Sequence, residues 1–283
     1  MEIRVVAGDI TTFAGDGLVV NLFEAARGPA KGTPQGATAA VDAALGGALD
    51  RLIRAGEITG KWGEQTLIHA LGRLRAERVL VLGLGKPEEL TADRVRAAAA
   101  EAAGTLRKSG ARRIGTLVHG AGAAGLSAGQ SAQAVVEGTL LGLYRFTRYK
   151  TNDDHAKVVE RLTVVERDAR RLGAVREAVW RGRILAEAAI AARDLVNEPG
   201  NTLTPTELAR RARAMARAAR VRCEVLGPPA LRRLGRTTLA EPPRPAFETR
   251  LEAAVAGADW VQESAPERED VKFEVLRAID AAC

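Results

Sequence analysis

Few residues in this 283-residue chain have the type and spacing that chemistry needs. The three histidines, His69, His119 and His155, are scattered, with no i, i+4 pair and no cysteine beside them, so no zinc site can be read. Gly83-Leu-Gly-Lys86 follows an apolar run as a phosphate loop would. It lacks the Gly-x-x-x-x-Gly-Lys-Ser/Thr spacing, however, and Pro87-Glu88-Glu89 puts negative charge where phosphate would approach, so a tight strand-to-helix turn is the better reading. Cys223 and Cys283 lie far apart without metal-type spacing and point to a reducing, cytoplasmic setting. Net charge is +7, and nine arginines fall between positions 210 and 236 against one acid, Glu224. Such a run is ordinarily a solvated face, but it would permit weak, sequence-indifferent contact with nucleic acid. On these residues alone no catalytic, cofactor-binding or metal-ligating side chain is assigned.

The elements that would position a site are clearer. Apolar runs at Ile3–Val6, Gly17–Leu22, Thr66–Leu71, Arg78–Leu84, Ile114–Val118 and Leu162–Val165 have strand character. Between them Ala37–Ala55, Thr91–Ser109 and Ser127–Tyr149 have helical spacing, and Ser127 with Gln130 forms a capping box. Alternation of this kind predicts an α/β domain over 1–165 with a mostly parallel sheet, its direction mixed around 66–84. A polar stretch at 151–160 forms the surface connection before the last strand. A long helix is expected over Asp168–Asn197, a second over Thr204–Arg220, and a strand at Val221–Leu226. Thr204 suits the N-cap of the second helix, Pro205 its first position, and Glu207 is placed to reach back to the cap. Nothing reaches the 18 apolar residues of a membrane span, and the N-terminal residues show strand pattern with no secretory signal.

"ARDLVNEPGNTLTPTELARRA", "EGTLLGLYRFTRYK" and "RVLVLGLGKPEELT" resemble the leucyl aminopeptidases, over roughly residues 1–235. The resemblance implies a macro-like N-terminal domain (1–165), the start of a catalytic domain (166–235), a cytoplasmic setting and a homo-oligomer. It also implies hydrolytic release of N-terminal residues from peptides by two divalent metals, manganese or zinc. The family's metal ligands lie in motifs such as Lys-Gly-x-Thr-Phe-Asp-Ser-Gly-Gly and Asn-Thr-Asp-Ala-Glu-Gly-Arg, and neither occurs in this sequence. No residue is therefore carried over as ligand or catalyst, no cofactor is expected in this chain, and a chain truncated before those ligands is expected to be inactive alone. Gly8-Asp9-Ile10-Thr11 and Gly17–Asn21 resemble the opening of macro domains, where the aspartate meets adenine and the asparagine ribose. The continuation Asn21-Leu-Phe-Glu24 departs from that family, which implies that the nucleotide site is lost. Finally, Leu251–Cys283 resembles part of the NAD-binding domain of 3-hydroxyacyl-CoA dehydrogenases, closest to the carnitine dehydrogenase type, and implies a short βα fragment over 236–283. That fragment would run as helix Leu251–Ala256, strand Asp259–Glu263 and helix Pro266–Ala282, with Glu263 toward the cleft. The glycine turn that would hold NAD is absent from it.

Overall fold

The computed structural model describes residues 1–24, 34–151 and 157–235. The expectations for His155, Cys283 and the dehydrogenase-like fragment, Glu263 included, lie outside the described residues. In chain order the elements are β1 (Glu2–Ala7), β2 (Gly17–Leu22), α1 (Gly36–Ala44), α2 (Ala48–Ala55), β3 (Gln65–His69), β4 (Arg78–Gly83), α3 (Ala92–Lys108), β5 (Arg113–Leu117), α4 (Ala128–Leu143), β6 (Arg161–Glu166), α5 (Leu172–Val196), α6 (Pro205–Ala219) and α7 (Pro228–Arg233). Two compact units result, Met1–Thr202 and Leu203–Cys283.

The first unit is a six-stranded sheet in the order β1-β6-β5-β2-β4-β3. Every pairing is parallel except β3 with β4, which is antiparallel, as the sequence pattern around 66–84 implied. Alternation along the strands explains the two-sided core. Val19, Leu80, Leu82, Ile114, Leu162 and Val164 face α3, α4 and α5, whereas Leu18, Val20, Val79, Val81 and Val165 face α1 and α2. Two glycines bring α3 and α4 together. A Cβ on Gly138 would lie 2.0 Å from the Arg96 carbonyl oxygen, and one on Gly142 would lie 2.6 Å from the Ala100 Cα. The same interface buries Glu137, whose carboxylate accepts from Arg96 Nε at 2.7 Å and from Gln133 at 2.8 Å.

Several boundaries differ from the sequence reading. The single helix expected over Ala37–Ala55 breaks at Gly46 and Gly47, both at positive φ (68° and 74°), and the Asp42 carboxylate then caps α2 by accepting from the Leu49 and Asp50 amides. The helix expected to reach Tyr149 stops at Leu143, because Tyr144 turns to extended backbone (ψ 133°). Its start is as expected, with the Ser127–Gln130 capping box in place.

In the second unit, Thr204 caps α6 by accepting from the Glu207 amide, but the Glu207 carboxylate does not reach back. It accepts from Arg210 and Arg211 instead, at 2.7 Å each. No strand forms over Val221–Leu226: residues 221–227 make no ladder, and a strand persists only when its backbone groups find one. The helix α7 that follows was not read from the sequence, being only six residues long and opened by Pro228-Pro229.

Candidate functional site

In parallel α/β sheets ligands gather beyond the carboxyl ends of the strands, so that edge is the first place to look. Here Asn21 and Gly83 lie at the carboxyl ends of β2 and β4, and Asp9, Leu84–Lys86 and His119 follow just past strands. Their side chains are turned to structural work. The Asp9 carboxylate accepts from the Thr11 amide (2.9 Å) and hydroxyl (2.7 Å), and these bonds hold its pKa below the usual carboxylate range. The Asn21 side-chain oxygen meets His119 Nδ1 at 3.0 Å, and His119 Nε2 meets the Thr116 hydroxyl at 2.8 Å. With the asparagine oxygen facing the ring, Nδ1 carries the proton and Nε2 accepts from Thr116. His119 is only 1% exposed, and burial pushes its pKa down to about 4, so the ring is neutral at physiological pH. An asparagine so engaged does not present its oxygen to a ribose.

The glycine turn is closed in the same way. A Cβ at Gly83 would lie 2.0 Å from the Lys61 carbonyl oxygen, and one at Gly85 3.2 Å from Trp62 Cβ. Both glycines let the 60–64 loop lie against the turn. The amides a phosphate would need are already spent: Leu84 N donates to Leu22 O and Gly85 N to Gly60 O, 2.9 Å each. Lys86 lies 3.4 Å from Glu89. The turn reading is correct for a physical reason that composition could not show.

A second polar cluster joins two of the three stretches that carried the aminopeptidase resemblance, "EGTLLGLYRFTRYK" and "ARDLVNEPGNTLTPTELARRA", which meet at the end of α5. The Tyr144 hydroxyl donates to Asp194 (2.8 Å) and accepts from Asn197 Nδ2 (3.1 Å), while the Arg193 guanidinium lies 5.7 Å from the Tyr144 ring centre. Burial, reinforced by Asp194, raises the Tyr144 pKa. One turn on, the buried Glu198 carboxylate accepts from the Tyr149 hydroxyl at 2.5 Å and ion-pairs with Arg148. This cluster pins the segment after α4 to the segment that ends α5. Sequence reasoning singled out both stretches without seeing that they are partners.

Two shallow cavities accompany these clusters. One, of about 300 Å³, lies among Leu140, Leu143, Val159 and Ile190 with Arg107 and Lys157 at its rim. The other, of about 260 Å³, lies over β1 and β6 beside Asp9 and Arg113. Among the described residues no group of three or more His, Cys, Asp or Glu could hold a metal ion, so these residues do not fit a two-metal centre. None of the described helices is long and apolar enough to cross a membrane.

The mostly parallel sheet with helices on both faces makes this an α/β protein of aminopeptidase-like fold. It aligns with a tomato leucine aminopeptidase mutant at a TM-score of 0.67 over 92% of this chain and 48% of that one, at 20% identity. Residues 19–153 match the N-terminal domain of the cytosol aminopeptidase family, so the chain carries that domain and is an aminopeptidase-like protein. It is 34% identical over 239 residues to a probable cytosol aminopeptidase of Alkaliphilus metalliredigens, covering 83% of this chain and 46% of the relative. Against one from Geobacter sp. strain M21 it is 37% identical over 257 residues, 86% of this chain and 49% of the relative. The bottromycin maturation enzyme BotP in complex with Mn aligns at a TM-score of 0.59 and 31% identity over 78% of this chain and 40% of that one. The chain thus spans about half the length of the curated relatives it matches.

Proposed function

We propose that this chain is the N-terminal module, with the entry to the catalytic domain, of a metal-dependent enzyme that removes N-terminal residues from peptides, and that the chain alone does not turn over. The observation that carries the reading is the likeness to probable cytosol aminopeptidases over more than four-fifths of the chain, 83% and 86% in two cases. The functional division runs as the sequence implies: 1–165 as the N-terminal domain, 166–235 as the catalytic-domain entry, with a homo-oligomer as the working form. When bound, two divalent metals would polarise the scissile carbonyl and activate a water. Nothing in the described residues offers them a ligand set, so no step is assigned to this chain. What its own residues do is positional: Tyr144, Asp194, Arg148 and Glu198 fix how the backbone leaves α5. Nucleic-acid binding is the weaker reading, since Arg210 and Arg211 on α6 are engaged by Glu207.

The test is release of free amine from a leucyl anilide with manganese, the metal of the BotP complex, or zinc added. Rates equal to buffer are expected. Turnover that metal stimulates and chelator abolishes would overturn the reading.

A further inference from the structure

α4 and α5 run side by side in the same direction: Gly129 of α4 lies against Ala174 and Ala178 of α5, and Gln133 lies against Gly182. Carried on at that register, Ile190 falls beside Leu140, just before α4 ends at Leu143. α5 continues to Val196, but Tyr144 turns the other chain segment to extended backbone. A single extended segment does not fill the place of a helix about 10 Å across. The cavity of about 300 Å³ opens there, with Leu140, Leu143, Val159 and Ile190 as its floor. Arg107, from the last turn of α3, and Lys157, on the approach to β6, stand at its rim. None of the described residues that line it is acidic. Lys157 Nζ donates to the Lys108 carbonyl at 2.9 Å, and among the described residues neither Lys157 nor Arg107 has an ion-pair partner. The carboxyl ends of α3 and α4 bring about half a negative charge each, against two full positive charges. The balance favours an anion.

We propose that this cavity binds a small apolar carboxylate, its tail on the aliphatic floor and its head on Arg107 and Lys157. Each half of that ligand answers one half of the site. The floor offers four aliphatic side chains, which gain by covering a hydrocarbon tail. A guanidinium meets the two oxygens of a carboxylate side on, and the lysine ammonium adds a second charge beside it. A sugar or nucleotide phosphate would bring hydroxyls and ring nitrogens that this floor cannot hydrogen-bond, and burying those unpaired is costly. The volume lies at the lower end of the range for small-molecule sites, about 300–1,000 Å³, which limits the ligand to a short chain or a single ring. This binding uses none of the metal chemistry proposed above, so either can fail without the other.

The test is a titration of the full chain with sodium octanoate, followed by the methyl NMR signals of Leu140, Leu143, Val159 and Ile190. Saturable shifts confined to this group are expected, with a dissociation constant on the order of 10⁻⁴ M, in keeping with a ligand of about ten heavy atoms in a shallow site. Octylamine and octanol, which carry the same tail on a cationic and a neutral head, are expected to bind at least about tenfold more weakly. Arg107→Glu combined with Lys157→Glu should reverse the order, so that octylamine binds more tightly than octanoate. Circular dichroism and the remaining methyl signals check that these two rim substitutions leave the fold intact, and the three-ligand comparison on the parent chain needs no variant. Absence of saturable shifts, shifts centred on other methyl groups, or octylamine or octanol binding the parent as tightly as octanoate would each overturn the proposal. So would a folded double variant that still prefers octanoate.

Discussion

The carboxyl edge of the sheet and the end of α5 solve the same problem, satisfying buried polar groups, in opposite ways. At the sheet edge the groups are neutral: Asn21, His119 and Thr116 pair with one another, and Gly83 and Gly85 accept backbone at van der Waals range. At the end of α5 they are charged and aromatic, with Glu198 on Arg148 and Tyr149, and Asp194 on Tyr144. The difference teaches what each region is for. An edge where other α/β proteins hold ligands has been sealed with the chain's own backbone. The charged joint binds two segments about 50 residues apart and directs the chain onward.

The comparison predicts a graded series of effects, best followed by urea unfolding. Gly83→Ala places a methyl group on the Lys61 carbonyl, and a backbone cannot retreat as a side chain can, so a loss of about 3 kcal/mol or more is expected. A loss below about 1 kcal/mol would show that the edge is looser than described. His119→Leu comes next, at about 2–3 kcal/mol at neutral pH, since it strands Asn21 and Thr116 without partners.

His119 also sets a pH dependence whose sign can be worked out. Its folded pKa, about 4, lies below the ordinary histidine value of 6.5, so the folded state disfavours the proton. The stability tied to the neutral ring is whole above about pH 6.5 and drains away as pH falls toward 4, by on the order of 3 kcal/mol in all. The gap between the parent and His119→Leu should therefore narrow steadily through that window. A gap that holds constant from pH 7 to about 4 would sink the assignment of a buried neutral ring.

Glu198→Gln should cost less, about 1–2 kcal/mol, because Arg148 is half exposed and can return to water when its partner loses charge. A loss as large as that from His119→Leu would mean that the charged joint, and not the sealed edge, dominates this unit. Ser127→Ala, which removes one cap of α4 and touches neither cluster, sets the floor at about 1 kcal/mol.

The sequence made the strands and the long helices legible, because alternation and 3.6-residue periodicity are local signals. The Ser127 cap was legible for the same reason. What escaped was whatever depends on a distant partner. Asn21 and His119 are 98 residues apart, and nothing near either one announces the other. The Glu207 carboxylate had a local option, the Thr204 amide, yet Arg210 and Arg211 outbid it and pull its pKa down to about 2. Val221–Leu226 has strand composition but no ladder, and composition alone cannot supply a neighbour. As for the site, the stretches that resemble the aminopeptidases were legible in the sequence. The meeting of "LYRFTRYK" with "ARDLVNEP" was not, since both read locally as the ends of separate helices.

The sheet order has a consequence in time. β1 precedes the other described strands in the chain, yet among the described residues its strand partner is β6, and Glu2 sits in register with Arg161. The first strand must therefore wait, unpaired, until nearly 160 further residues have been synthesised. At about 5–20 residues per second that wait is on the order of ten seconds, far longer than hairpins and helices need to form. Throughout it, Ile3 and Val5 have no sheet to join. Refolding of the chain should accordingly show a slow phase that closes β1 onto β6, visible as late hydrogen-exchange protection of residues 2–7 after the β2–β4 core is already protected.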